Sequence, residues 1–183
     1  MDTLSHGLWG GIFFGRKLRK DFWMAFLFGT IPDLLSFGVY IVGSWIGIFN
    51  HPDFSSGRHP DPSTIPAFVQ HFYNVTHSLI IFAMVAGIAY LVFRKVYWPL
   101  FAWPLHILYD IPTHSGDFFP TPFLWPLSDF HIRGVSWGNP YVFFPNWIAL
   151  FFFLYWFFLR PYWKKGRGSC PAPFEHSVKG AKK

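Results

Sequence analysis

Five ionisable residues stand in otherwise apolar stretches of this chain: His6, Asp33, His77, His106 and Asp110. Such groups are costly inside a bilayer, and where they occur they face one another, a cavity or an ion. Imidazole nitrogens and carboxylate oxygens are donors suited to zinc, manganese or iron. A soft, thiolate-bound metal is not expected, because the one cysteine, Cys170, stands near the C-terminus. His106 and Asp110 are four residues apart, so one helix face presents both. Asp110 then acts either as a second ligand or as the group that orients His106. His77 lies between Thr76 and Ser78, near an expected helix N-terminus that would keep its ring neutral and ready to bind. His114 follows Asp110 by one turn across Pro112 and is a candidate fourth ligand or acid–base group. Taken singly, each residue has a plainer reading: a hydrogen-bonded core histidine, an internal His106–Asp110 ion pair, or Asp33 capping the second half of a helix broken at Pro32. The coincidence of five favours a shared site. His71 and His131 fall in outer loops, and His51 and His59 are expected to be exposed.

The elements that must carry these residues are membrane helices. Of 183 residues, 52% are hydrophobic and 23% aromatic, while only 13% are charged. That is about half the charge of an ordinary soluble domain, too little for a solvated shell. The aromatic content also excludes disorder. Mean hydropathy is +0.27, an average over long apolar runs and short polar loops. The net charge of +6 does not signal nucleic acid, because the basic residues cluster at Arg16–Lys20, at Arg94 and Lys95, and from Arg160 onward, where they punctuate apolar stretches. We read an all-α, polytopic membrane bundle over residues 1–163, followed by a basic cytoplasmic tail over 164–183. Residues 3–15 form a half-inserted helix too short to cross. Four full spans are expected at 22–49, kinked or broken at Pro32, and at 73–93, 96–111 and 140–159. No cleavable leader is expected, and the first span serves as the insertion signal. With the basic clusters inside, the C-terminus is cytoplasmic and the loops 50–72 and 112–139 face outward. Counting 1.5 Å per residue from the basic side puts His6, Asp33 and His106 roughly 15 Å deep, Asp110 at ~22 Å and His77 at ~25 Å.

The order of these features is His6, Pro32-Asp33, Thr76-His77-Ser78, His106-x-x-x-Asp110 with Thr113, then Leu124-Trp125-Pro126. It resembles the bacterial inner-membrane metal-dependent hydrolase family typified by YdjM, through most of residues 1–127. The resemblance implies a multi-pass inner-membrane protein holding a divalent metal at the His and Asp positions. A looser likeness to zinc-dependent phospholipase C points to phosphoester substrates. Two departures matter. The family often carries Pro-Asp-x-Asp, whereas this chain reads Pro32-Asp33-Leu34-Leu35. It also often carries His-Arg-Gly before Thr-His-Ser, where this chain has His71-Phe72-Tyr73. Both favour a single-metal site.

The leading expectation is a membrane-embedded, metal-dependent hydrolase acting on phosphoester or lipid substrates, with zinc the first choice of metal. His77, His106 and Asp110 are the core ligands, and His6 and Asp33 complete the shell. Asp33, Asp110 and His114 are the candidate catalytic groups. The bilayer and an amphiphilic substrate are the expected partners. Two rivals remain: a haem-binding electron-transfer protein with His77 and His106 as axial ligands, and a non-enzymatic ion-binding transporter or regulatory scaffold built on the helix break at Pro32.

Overall fold

The computed structural model describes residues 1–52 and 60–161. The expected basic tail, 164–183, lies outside the described residues. Every regular element among the described residues is helical.

Helix α1 (Thr3–Phe14) starts at Asp2, whose carboxylate accepts from the Ser5 N–H at 2.9 Å. It crosses helix α2 (Arg19–Asp33) at backbone contact. A Cβ on Gly29 would lie 2.6 Å from the His6 carbonyl, and one on Gly10 would lie 2.7 Å from the Ala25 carbonyl. Small residues at such a crossing let the two backbones touch. Helix α2 does not break at Pro32. It passes through a π-helical turn, Leu34–Gly38, into α3 (Val39–Trp45), making one 27-residue apolar rod from Arg19 to Trp45. The wider turn re-registers the ladder after the proline, and side chains serve the Pro32 carbonyl, with Ser36 Oγ donating at 2.9 Å and Thr76 Oγ1 at 3.2 Å.

The expected second span is instead a bent pair. Helix α4 (Ala67–Thr76) and helix α5 (Leu79–Phe93) meet at 58°, with His77 and Ser78 in the break. Ser78 causes the restart: its backbone is extended, and its Oγ accepts from the N–H groups of Ile80 and Ile81. The Ser78 hydroxyl also donates to the Trp125 carbonyl, which pins the break to the outer loop. Arg94 closes α5 in the left-handed conformation (φ 53°) at the expected hairpin.

The expected span at 96–111 is corrected too. A 3-10 turn, Trp98–Phe101, leads into the 12-residue α6 (Ala102–Thr113), which is about 18 Å long and too short to cross a ~30 Å core. Helix α7 (Pro140–Leu154), extended by a π-helical turn to Leu159, is long and apolar enough to span, and Leu150 is its one buried residue. Two helices therefore meet the length and composition of a membrane span, or three if the bent pair counts as one, rather than four. Asn146 moors α7 to α1: its Oδ1 accepts from Trp9 Nε1 at 2.8 Å, and its Nδ2 donates to Ser5 Oγ at 2.8 Å.

Candidate metal centre

The close α1–α2 crossing, the α4–α5 break and the inward face of α6 converge. Asp33 ends α2, His77 sits in the break, and His106 and Asp110 lie one turn apart on α6. Each of the four offers a ligand atom within 4.8 Å of the others. His77, His106 and Asp110 are fully buried, and the Asp33 side chain is 15% exposed.

Two backbone carbonyls fix the imidazole tautomers. His106 Nδ1 lies 2.7 Å from the Gly29 carbonyl, and His77 Nδ1 lies 3.1 Å from the Tyr73 carbonyl. A carbonyl only accepts, and the Thr76 hydroxyl, also 3.1 Å from His77 Nδ1, donates to the Phe72 carbonyl at 2.8 Å, so these contacts favour a proton on each Nδ1 and an Nε2 lone pair turned inward. Those two nitrogens stand 3.0 Å apart. Two neutral rings in these tautomers repel at that distance, and a cation between them removes the repulsion. The carboxylates make the same demand. Asp110 Oδ2 lies 3.1 Å from His106 Nε2 and 3.5 Å from His77 Nε2, yet among the described residues it accepts no hydrogen bond. Asp33 Oδ1 lies 3.5 Å from His77 Nε2 and 3.7 Å from His106 Nε2.

The lengths fit an ion. Four ligands held tetrahedrally at 2.0–2.2 Å are separated from one another by about 3.3–3.6 Å. The five N···N and N···O separations here run from 3.0 to 3.7 Å. Two carboxylates stand here among the imidazoles, and the Met1 ammonium at Asp110 Oδ1 offsets only one of them, so the group keeps a negative charge that a bound cation offsets.

The surrounding groups hold these ligands in place. Thr3 Oγ1 donates to Asp33 Oδ2 at 2.7 Å. Trp103 Nε1 donates to the Thr76 carbonyl at 2.6 Å, fixing the backbone just before His77, and the Tyr73 ring stacks on His77 at 3.8 Å. His6 lies on the other side of Asp110: its Nε2 is 2.8 Å from Asp110 Oδ1, and its ring stacks on His106 at 3.6 Å. It therefore borders the group of four rather than belonging to it. The Met1 amine also donates to Asp110 Oδ1, and to Thr113 Oγ1 at 3.1 Å. His114 Nδ1 lies 3.4 Å from Asp110 Oδ1, at the edge of the site. His71 packs near Trp125, away from the cluster, and His131 is exposed.

Sequence reading did not single out Thr3, Gly29, Tyr73 or Trp103. Gly29 had a usable signal, a small residue on the first long apolar stretch opposite the glycine-rich 7–11 segment. Thr3 and Trp103 act through single hydrogen bonds that no spacing announces. A cavity of about 330 Å³ reaches the cluster at Asp33 and His114, walled mainly by Phe37, Tyr40, Phe118, Phe119 and Trp137.

No family model matches the chain, and neither does any curated protein or solved structure.

Proposed function

We propose that this protein is a membrane-embedded, metal-dependent hydrolase, with Asp33, His77, His106 and Asp110 holding one divalent cation, zinc by preference. The observation that carries the reading is the pair of Nε2 atoms 3.0 Å apart, each on a ring whose Nδ1 faces a backbone carbonyl, beside an Asp110 Oδ2 that accepts no hydrogen bond among the described residues. The order of motifs shared with the YdjM-type family supports it and adds the inner membrane as the expected location, with the C-terminus in the cytoplasm.

A divalent cation at such a site supplies a Lewis acid for the scissile bond and lowers the pKa of a bound water towards neutrality. The chain's own groups do the rest. Asp33 is the one ligand reached by the cavity, so substrate meets the site on its side. Its Oδ2 is held by Thr3, which leaves Oδ1 turned to the cluster. His114, on the cavity wall beside Asp110, is placed to exchange a proton with water or with a leaving group. His6 backs Asp110 and stacks on His106, so we assign it to positioning the ligands.

The haem alternative has no support in this geometry, because axial ligands stand on opposite faces of a macrocycle and nitrogens 3.0 Å apart leave no room for one. A proton shared by the two rings would also relieve their repulsion, and metal analysis separates that case from ours. The test is elemental analysis of protein purified in detergent, followed by hydrolysis assays with and without chelator. The expected result is about one zinc per chain and chelator-sensitive turnover of an amphiphilic ester; a metal-free protein that binds no added zinc removes the reading.

A further inference from the structure

The cavity beside the cluster says which bond fits. Its aromatic wall begins at a ligand ring. Tyr73 stacks on His77 and meets Phe119 edge-on at 5.3 Å, while Phe37 and Phe118 lie 4.7 and 4.9 Å from Phe119. The Tyr73 hydroxyl is spent on the Phe119 carbonyl at 2.9 Å, so it offers a ligand no free proton. Phe119 itself is buried and held at φ +47°, a conformation sparsely populated for a bulky side chain and sustained here by that bond and by the surrounding rings. Apolar surface therefore starts one ring away from the reacting position.

Resting on the hydrolase reading above, we infer that the scissile bond is a carboxylic ester attached directly to a hydrocarbon chain, and that Phe37, Phe118 and Phe119 bind the chain. In a fatty acyl ester the carbonyl carbon is the end of the chain, so the chain enters the aromatic cavity as the carbonyl reaches Asp33. A phospholipid phosphodiester puts glycerol and phosphate oxygens between its chains and the phosphorus, against a mainly aromatic wall on which Thr3 is already bonded to Asp33 and Asp2 to Ser5. Charge argues the same way. Among the described residues the ionisable groups lining the cavity are Asp2, Asp33, His114 and the Met1 amine, which is already engaged by Asp110. A neutral ester adds no anion to the buried carboxylates, whereas a phosphodiester does. In the reaction the water oxygen bonds to the carbonyl carbon and the carbon–oxygen bond to the alcohol breaks. The alkoxide leaves with one proton of the water, giving a carboxylic acid and an alcohol.

The test compares p-nitrophenyl octanoate with p-nitrophenyl octyl phosphate, using full-length zinc-loaded protein in detergent micelles and the His106→Ala variant as background. The octanoate is expected to be preferred by about 100-fold, and kcat/KM is expected to rise about tenfold or more from the acetate to the octanoate. Phe37→Ala and Phe119→Leu should flatten that rise through KM while zinc content stays at the native value. Preference for the phosphodiester overturns the ester assignment and leaves the hydrolase reading standing. Turnover of neither compound above background overturns the hydrolase reading, and the ester assignment with it. A chain-length rise that survives both substitutions overturns the role of the cavity.

Discussion

His77 and His106 are each tied to a carbonyl through Nδ1, so their ring orientation is set by the backbone rather than by each other. This makes the site asymmetric to substitution. Replacing His106 by Ala removes a ligand, and zinc affinity should fall by more than the 10–100-fold that loss of an outer hydrogen-bond partner costs; isothermal titration reads this directly. Trp103→Phe removes only the donor to the Thr76 carbonyl, and its affinity loss should lie within that 10–100-fold range. Which residues gather at the cluster was legible in the sequence because ionisable side chains in apolar stretches are costly and few. Their division of labour was not. His6 carries the same chemistry as His77, yet it lies across Asp110, beside Oδ1 rather than Oδ2. Which oxygen a ring faces depends on the helix crossing, and no spacing in the chain encodes that.

At the scale of elements, the crossing and the break place the ligands. Gly29 does two jobs: its carbonyl orients His106, and its missing side chain admits α1. Gly29→Ala puts a methyl group against the His6 carbonyl, and the expected cost is about 1–3 kcal/mol of stability. Thermal unfolding in detergent should show the loss, together with weakened zinc binding as α1 and His6 move away from Asp110. Ser78→Ala removes the cap of α5 and a tether to the outer loop, for which we expect a loss of about 1–2 kcal/mol. Apolar stretches and basic punctuation made most helices legible, including the half-length α1 and the span ending near Leu159. They gave the span through Pro32 but not that the helix stays unbroken there. The carbonyls freed around a proline can be served by side chains from other helices, here Thr76, and such partners are distant in sequence. Nor did hydropathy reveal the bend at His77, because both arms are apolar and a serine cap is a local matter of one hydroxyl.

Across the whole molecule, the His/Asp cluster lies where a long rod (α2–α3), a bent pair (α4–α5) and two short helices (α1, α6) meet. Short and bent helices carry their ends, and so their polar groups, into the interior, which straight spans do not. The expected bundle of four spans missed this, because hydropathy measures apolar length and ignores how a chain turns back. Helix α7 contributes no residue to the group of four, and it packs on α1 and α6 through Leu150 and its neighbours and through the Asn146 hydrogen bonds. Asn146→Leu should therefore lower stability while leaving zinc stoichiometry at the native value, a split that thermal unfolding and elemental analysis report together.

X-ray absorption at the zinc edge, on the purified full-length protein, tests the centre most directly. Our account predicts one zinc per chain bound by nitrogen and oxygen at about 2.0–2.2 Å, with multiple-scattering features of two imidazoles that drop to one in His106→Ala. A spectrum showing no imidazole scattering, or one unchanged by His106→Ala, would contradict it.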